Sequence, residues 1–361
     1  MELPGSLHNM LNKREKEDNL RVLPDFRING VQLAANDYLN FSKLRILESD
    51  LPVGSGGSRL ISGNFPIFHK LENEILPQFH QSEAALFFNS GYVANLGLIS
   101  ALAQKNDIIL YDQKVHASIR DGMRLGFAKH FSFKHNDMKD LEHKLKSHNA
   151  TVYVIAESIY SMDGDQAPLA DMVALCKAYK ARLIIDEAHA LGVIGKGLSQ
   201  ELRLENEIFA RVFTYGKALG LHGASVCGSM DLIRFLINFS RPFIYTTAAS
   251  PAEIERLIAH LMYFESEPGL NEQKALKKII NAYARYAAEF GHHANPTAIQ
   301  FIRTGSNQSA KELERKCNNA GYLVKAIKHP TVAKGEEGIR ICLHSQLNPQ
   351  IWPDFFNCIQ S

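Results

Sequence analysis

The sequence lacks paired cysteines, and this absence limits both its metal chemistry and its redox chemistry. It has five cysteines, which is an odd number, and they are widely spaced with no CxxC pair. They are Cys176, Cys227, Cys317, Cys342 and Cys358. Such a pattern gives neither a zinc ribbon nor a dithiol redox pair, so we expect no metal site. Unpaired cysteines are typical of a reducing compartment, and a cytoplasmic location is therefore expected.

An excess of charge of one sign is also missing, because 40 basic residues face 38 acidic ones. Nothing would concentrate a polyanion, so we expect no nucleic-acid partner. The opening segment MELPGSLHNMLNKREKEDNLR has no apolar core of the signal-peptide kind and is too charged to insert into a bilayer. The longest apolar stretch, from Ala84 to Ala103, is interrupted by polar residues and glycine, which predicts a strand, a turn and a buried helix. No membrane insertion is expected.

The chain does have the length and hydrophobic content for two domains, with 361 residues of which 45% are hydrophobic. From about Glu83 to Ser229, short apolar runs alternate with helix-length segments, which predicts parallel βαβ units with helices on both faces of a sheet. After Arg241 and Pro242 the pattern changes to two long amphipathic helices and short α/β segments. We expect an N-terminal arm over residues 1–45, a large domain over 46–245 and a small α/β domain over 246–361.

A lysine and an acid stand out among the residues that come directly after predicted strands. Lys217 lies in the string TYGKALG after a buried strand, where an isolated lysine would more often extend its amine to solvent. Thirty-one residues upstream, Asp186 ends the strand RLIID, and a buried carboxylate there requires a cation or hydrogen-bond donors. A protonated pyridine nitrogen would supply that cation. His189 could lie near the phenolic oxygen of the same ring.

The DEAH string formed by residues 186–189 also occurs in helicases. Those proteins need a preceding phosphate-binding loop that ends in GK[ST], and this sequence has no such loop.

A phosphate site is predicted at the string NSGY (residues 89–92), which lies between a strand and a helix. The first-turn amides of that helix, from Gly91 and Tyr92, would point at the end of the strand. Thr214 could donate its hydroxyl to the same phosphate. His116 and Ser161 come after the strands DIILYD and TVYVIAE, so they belong to the same layer of loops. Alone, a Ser-Gly turn or a histidine at a helix start is more often structural.

Nine strings in register resemble one family, the α-oxoamine synthases, which are fold-type I pyridoxal-phosphate enzymes. Between about residues 36 and 251 the sequence contains, in the family's order, NDYL, GSGGSRLISG, SGYVANLG, HASIRDGMRLG, FKHND, SMDGDQAPLA, IDEAHALGVIGKG, TYGKALG and IYTTAASP. The resemblance implies the fold of these transferases, an α/β fold whose mostly parallel seven-stranded sheet lies between helices, with a smaller α/β C-terminal domain. It also implies a homodimer with shared active sites.

The resemblance further implies pyridoxal 5′-phosphate as the cofactor and assigns its contacts. Lys217 would bond covalently to the cofactor, Asp186 would pair with its ring nitrogen and His116 would stack on the ring, which makes these three the catalytic residues. The remaining implied cofactor contacts are Ser161 and His189 at polar atoms, Gly91, Tyr92 and Thr214 at the phosphate, and Thr247 from the partner subunit.

Substrate contacts implied by the resemblance are Arg21 for the acyl group, with His116, Asn36 and Thr331 at the substrate site. The family's carboxylate-binding arginine lies in a string IRPPTVP, which here reads IKHPTVA over residues 327–333. Lys328 therefore takes that place in our prediction. The ammonium of a lysine is a point charge, whereas the guanidinium of an arginine can donate two parallel hydrogen bonds to a carboxylate. Recognition of the substrate carboxylate would therefore be weaker or have a different geometry.

The activity that the resemblance implies is a decarboxylative condensation of a small amino acid with an acyl thioester. The strings HASIRDG, FKHND and IYTT are most similar to the branch that joins L-alanine to a pimeloyl thioester, on coenzyme A or a carrier protein, in biotin biosynthesis. Sibling reactions of glycine with acetyl-CoA or serine with a long acyl-CoA remain alternatives, as does an aldolase or eliminase on the same fold. A non-enzymatic scaffold is disfavoured because Lys217, Asp186 and His189 are all present.

Overall fold

A computed structural model describes residues 3–23, 29–148 and 150–360 of the chain. Contacts divide it into two compact units, a large one of Asp37–Ser161 and Asp165–Ala275 and a small one of Met1–Asn36, Met162–Gly164 and Leu276–Ser361. This division assigns residues 37–45 and 246–275 to the large unit. The domain boundaries expected after residues 45 and 245 stay a prediction.

The strands in the described part of the chain are short. They are β1 Val31–Gln32, β2 Ala84–Phe88, β3 Ile108–Asp112, β4 Lys129–Phe133, β5 Val152–Glu157, β6 Arg182–Asp186, β7 Ala210–Thr214, β8 Ala224–Gly228, β9 Ile299–Arg303, β10 Tyr322–Leu323, β11 Lys325–Ile327 and β12 Gly338–Cys342.

The helices alternate with the strands through the large unit and then lengthen. They are α1 Gly5–Lys16, α2 Pro66–Lys70, α3 Leu76–His80, α4 Gly91–Leu102, α5 Ala117–Leu125, α6 Met138–Lys146, α7 Leu169–Ala178, α8 Leu198–Glu201, α9 Met230–Phe239, α10 Arg241–Ile244, α11 Pro251–Glu265, α12 Glu267–Glu289, α13 Asn307–Asn319 and α14 Trp352–Gln360. A π-helical turn, Leu71–Ile75, joins α2 to α3.

A seven-stranded sheet in the order β2-β8-β7-β6-β5-β3-β4 forms the centre of the large unit. Only β8 runs against its neighbours, so the sheet is mostly parallel. Every residue of β2, β5 and β7 is buried, as expected for strands with helices on both faces. The predicted fold class is confirmed.

The edge strand β4 was not predicted from an apolar run. Its sequence KHFSF buries only the final phenylalanine, because an edge strand needs no second apolar face.

Strand direction decides which loops meet. Glu157 at the end of β5 pairs in register with Asp186 at the end of β6. Phe88 at the end of β2 and Thr214 at the end of β7 both pair with Ala224 of β8. The carboxyl ends of β2, β5, β6 and β7 therefore lie along one edge of the sheet, where ligands bind in folds of this class.

The small unit contains an antiparallel sheet in the order β11-β12-β9 and a parallel pair of β1 with β10. All five residues of β12 are buried. Aromatic side chains of α12 and α14 form its core, with the rings of Tyr283 and Trp352 4.9 Å apart in an edge contact. This is the smaller α/β unit predicted for the C-terminal part of the chain.

The five cysteines form no disulfide, and Cys176, Cys227, Cys317 and Cys342 are buried, whereas Cys358 is half-buried. Among the described residues, none of the helices combines the length and the apolar character that crossing a bilayer requires.

Candidate active site

The buried carboxylate predicted to hold a ring nitrogen accepts one hydrogen bond on each of its two oxygens. Asp186 is 6% exposed. Its Oδ2 accepts a hydrogen bond from the Asn95 side chain at 2.7 Å, and its Oδ1 accepts one from the Ala188 backbone at 2.8 Å. Two donors stabilise the ionised form of a buried acid and fix its plane. Asp186 is therefore a carboxyl group of fixed orientation at the end of β6.

A second acid, Glu157, lies beside it at the end of β5 and was missed by the sequence analysis. It is 2% exposed. Burial first, and then the charge of Asp186, raise the pKa of Glu157 to about 8. Its Oε2 accepts from the Ser161 backbone at 3.3 Å, while its Oε1 is buried with no hydrogen-bond partner in the described chain. The available signal was the one used for Asp186, an acid that ends an apolar strand.

Lys217 lies in the turn after β7 and is half-buried. Its charge lowers the pKa of Glu157 and of His116, so its amine lies within electrostatic range of both groups. The turn itself is held by backbone hydrogen bonds from Tyr215 to Gly223 and from Gly220 to Lys217, both 2.9 Å. A lysine close to a buried acid and a histidine is typical of an active site and not of a solvated surface.

The start of α4 and the end of β7 form a close pair. Ser90 caps α4 by accepting from the Val93 backbone at 3.3 Å, which leaves the first-turn amides of Gly91 and Tyr92 directed out of the helix. A Cβ at position 91 would lie 3.3 Å from the Thr214 Cβ, so only glycine lets these elements approach without adjustment. Helix amides beside a hydroxyl are suited to a phosphate.

Two predicted histidines have well-defined partners. His116 caps α5, and its ring lies 6.2 Å from the Tyr92 ring at an angle of 81°. His189 is buried, and its Nδ1 lies 2.7 Å from the Tyr38 hydroxyl. Ser161, also buried, is held through its backbone amide on Glu157.

Thr247 is exposed and lies near the predicted phosphate site of its own chain. Its carbonyl accepts from the Asn89 side chain at 2.7 Å, and its backbone bridges to Ser58. Its predicted role in the partner subunit stays a prediction.

Apart from His116, the predicted substrate residues belong to the small unit. Arg21 and Thr331 are exposed. Lys328 donates to the backbone carbonyl of Asp18 at 2.6 Å, and the Thr331 amide donates to the Lys328 carbonyl at 2.8 Å. The structure thus brings Lys328 and Thr331 into one turn.

Asn36 has a different partner, an arginine that the sequence analysis did not single out. Arg340 on β12 is 7% exposed, and its Nη1 donates to the Asn36 Oδ1 at 2.9 Å. A buried arginine beside a predicted substrate residue is a candidate for binding an anion. The signal available in the sequence was a single cation inside the apolar run GIRICL.

The groups at the sheet edge of the large unit fit pyridoxal phosphate. A half-buried lysine could bond to an aldehyde, and a fixed carboxylate could hold a ring N–H. The first-turn amides of α4, at the close approach of Gly91 to Thr214 that we call the Gly91 cradle, could bind the phosphate. An imidazole could cover the ring. Among the described residues, no group of three or more His, Cys, Asp and Glu could hold a metal ion.

Comparisons with known proteins show the family to which the chain belongs. The family model for class I and II aminotransferases matches residues 28–350. A curated 8-amino-7-oxononanoate synthase of Lysinibacillus sphaericus is 41% identical over 297 residues, which cover 80% of this chain and 75% of that protein. One of Marinobacter nauticus is 38% identical over 326 residues, covering 87% of this chain and 82% of that protein.

Solved structures show the same fold. A high-resolution structure of a serine palmitoyltransferase with PLP superposes with a TM-score of 0.90 at 24% identity, covering 100% of this chain and 98% of that one. An 8-amino-7-oxononanoate synthase from Francisella tularensis superposes with a TM-score of 0.79 at 26% identity, covering 91% of this chain and 96% of that one.

Proposed function

The chain belongs to the family of class I and II aminotransferases, and from this premise we propose that it is a pyridoxal-phosphate enzyme with the activity of an 8-amino-7-oxononanoate synthase. The observation that carries the proposal is that relatives of this name match most of the chain, while Lys217, Asp186 and the Gly91 cradle lie on one edge of a single sheet. The reaction condenses L-alanine with a pimeloyl thioester and releases carbon dioxide and a thiol. Its product serves biotin biosynthesis.

Bound pyridoxal phosphate supplies an electron sink for the bonds at the amino acid Cα. Lys217 Nζ would hold the cofactor's aldehyde carbon and, once displaced by the amino acid, would accept and return the Cα proton. Asp186, fixed by two donors, would keep the ring nitrogen protonated. Gly91, Tyr92 and Thr214 would bind the phosphate.

Four further residues would complete the cofactor contacts. His116 would cover one face of the ring. Ser161 and His189 would bind polar atoms of the cofactor, and Thr247 would reach the phosphate of the partner subunit.

Substrate recognition is proposed to use the small unit. Arg21 would contact the acyl group, and Asn36 and Thr331 the substrate. For the carboxylate, the structure supports a second candidate beside Lys328. The Lys328 amine already donates to a backbone carbonyl, and partial burial is the largest cause that lowers its pKa. Arg340 offers a planar fork next to Asn36.

A pair of variants separates these two residues. If Arg340 binds the carboxylate, Arg340→Lys raises the KM for L-alanine about tenfold or more. Lys328→Ala then leaves it within about twofold. The reverse result would assign the carboxylate to Lys328. Initial rates at saturating thioester provide the measurement.

The acyl donor and the assembly are also part of the proposal. We propose a cytoplasmic homodimer with shared active sites, which accepts a pimeloyl group on coenzyme A or on a carrier protein. Support for the dimer comes from large apolar side chains that are exposed in two of the family strings, with Ile61 86% and Tyr245 72% exposed.

A panel of substrates tests the activity. L-alanine, glycine and serine are each combined with pimeloyl, acetyl and palmitoyl thioesters, and both released thiol and carbon dioxide are measured. We expect the highest kcat/KM for L-alanine with the pimeloyl donor. A higher value for glycine with acetyl-CoA or serine with palmitoyl-CoA would assign the chain to a sibling reaction. Turnover of an amino acid without any thioester would indicate a lyase.

A further inference from the structure

A polar side chain inside the apolar helix α4 connects two groups of the proposed active site. Asn95 is 3% exposed. Its Nδ2 donates to the Asp186 Oδ2 at 2.7 Å and to the Ser118 Oγ at 3.1 Å. The orientation of this amide is determined by its surroundings, because the alternative would place a carbonyl oxygen against a carboxylate. Both amide protons of Asn95 are therefore used by these two acceptors.

Ser118, in the first turn of α5, continues the connection to His116. Its side chain is fully buried. Since the Oγ accepts from Asn95, its own proton is available for the His116 Nδ1, 2.8 Å away. The Ser118 backbone amide also donates to this Nδ1, at 3.2 Å. A ring nitrogen that receives two donors acts as an acceptor, so the neutral imidazole carries its proton on Nε2.

We propose that Asn95 and Ser118 are positioning residues that link Asp186 to His116, aiming the carboxylate and holding the imidazole as its Nε2–H tautomer. This inference rests on the proposed function, because it assigns both residues a role toward pyridoxal phosphate. Neither residue is assigned a contact with substrate. Their effect acts through Asp186, which would hold the ring nitrogen, and through His116, which would cover the ring.

The reason for such a link is electrostatic. A cationic imidazole over the ring would compete with the pyridinium for the charge of Asp186, so a neutral His116 leaves that charge to the cofactor. Although His116 is exposed, desolvation by the surrounding atoms is the largest cause that lowers its pKa, and Lys217 lowers it further. Asp186 and Asp121 oppose this shift. The charged and titratable groups around the His116 ring are Asp186, Lys217, Glu157, Asp121 and Tyr92.

Two substitutions separate the parts of the link. Ser118→Ala removes one donor from the His116 Nδ1 and one acceptor from Asn95, and it keeps the Asn95 donor to Asp186. Asn95→Leu removes the donor to Asp186, together with the donor to the Ser118 Oγ, with little change in volume. Ser100→Ala on the same helix is the matched control, because the Ser100 hydroxyl donates only to the Leu96 carbonyl of its own helix at 2.6 Å.

The first readout is the tautomer and titration of His116 in the full-length protein without cofactor, measured by NMR with labelled histidine and assigned with His116→Gln. The wild-type ring should show the Nε2–H tautomer at neutral pH. In Ser118→Ala the pKa of His116 should rise by about half a unit to one unit, since protonating Nδ1 then breaks only the hydrogen bond from the Ser118 backbone amide and not a second one from the hydroxyl. An Nδ1–H tautomer in the wild type would overturn the proposal without any variant.

The second readout is the affinity for pyridoxal phosphate and the pH dependence of the holoenzyme's visible absorption. Asn95→Leu should weaken cofactor binding about tenfold, which is the loss of one charge-assisted hydrogen bond. Its kcat should fall while the KM for the thioester stays within about twofold. Asn95 and Ser118 variants that match Ser100→Ala in all these properties would overturn the link. If the wild type turned over no thioester, the proposed function would fail instead, and the tautomer measurement would still decide the link.

Discussion

Two neighbouring acids illustrate how environment separates residues of the same chemistry. Asp186 and Glu157 end adjacent parallel strands and pair in register. Asp186 receives a side-chain donor and a backbone donor, whereas one oxygen of Glu157 has no hydrogen-bond partner in the described chain. Burial and the charge of Asp186 raise the pKa of Glu157 to about 8, so Glu157 is neutral near pH 7. The pair therefore places a carboxyl group held by two donors and a neutral acid at the same sheet edge.

Glu157→Gln should stabilise the protein at high pH. The pKa of Glu157 in the folded protein is raised to about 8, mainly by burial. Because the unfolded chain ionises more readily than the folded one, the wild type loses stability as pH rises from the unfolded pKa toward 8. Glutamine does not ionise, so the Tm of the Glu157→Gln variant should exceed the wild-type Tm by roughly 3 to 8 °C at pH 9. At pH 5 the two should nearly coincide, and scans of the cofactor-free protein at both values test this.

Lys217→Ala should abolish turnover, with a loss of about a thousandfold or more in kcat, because no other amine would hold the aldehyde and move the Cα proton. The variant should still bind pyridoxal phosphate through Asp186 and the helix amides, but borohydride should no longer fix the cofactor to the chain. The exposed Lys177, paired with Glu207, provides a control as Lys177→Ala. Borohydride-fixed cofactor in Lys217→Ala would contradict the assignment.

At the scale of secondary-structure elements, apolar strands and the residues directly after them could be predicted from the sequence. Six strands of the large sheet have apolar runs, and the loops after them contain Lys217 and His116. Edge strand β4 lacks such a run. Asn95 and Ser118 were missed because a helix pattern does not reveal which polar residue faces a site. The signal that was present is a lone asparagine in an apolar helix, which requires a buried partner.

Gly220 holds the lysine turn through its backbone. Its φ of +64° is disfavoured for other residues, and a Cβ there would overlap the backbone nitrogen of Ser42. Gly220→Ala should therefore displace the turn, lower cofactor affinity about tenfold or more and destabilise the protein by about 1 to 3 kcal/mol. Gly291→Ala is the matched comparison, with a φ of +75° and open space around its Cβ position. Equal cofactor affinity in the two variants would show that the close approach is unimportant.

His135 lies after β4 and connects the last residue of β3 to the loop after β5. Its ring nitrogens lie 3.0 Å from Asp112 and 2.7 Å from Asp165. Burial alone would lower the pKa of His135, but the two carboxylates overcome it and raise the pKa to about 9. This stabilisation is fully present below the unfolded pKa of about 6.5 and is lost as pH rises through about 9.

His135→Gln should accordingly lower the free energy of unfolding by about 1 to 3 kcal/mol at pH 6 and by less at pH 10. Urea denaturation at the two pH values is the measurement. His130→Gln, on a histidine of β4 that is exposed, is a control that should change little. A penalty for His135→Gln that is the same at both pH values would show that the ring is not charged in the folded protein.

At the scale of the whole molecule, the proposed dimer predicts shared sites. Light scattering should give twice the chain mass of 40.4 kDa. If Thr247 serves the partner's site, Thr247→Ala mixed with Lys217→Ala should recover up to about a quarter of wild-type activity per chain, since heterodimers then contain one intact site. A fully active monomer, or mixing without recovery, would contradict shared sites.

The cysteine arrangement has a practical consequence for measuring turnover. Four of the five thiols are buried and the fifth is half-buried. A chromogenic disulfide added to count liberated coenzyme A should therefore meet little competing colour from the native enzyme, and continuous monitoring becomes feasible. The same reagent added without substrate would measure local unfolding of the protein. Slow colour development would then come from transient exposure of the buried thiols, those of Cys176, Cys227, Cys317 and Cys342.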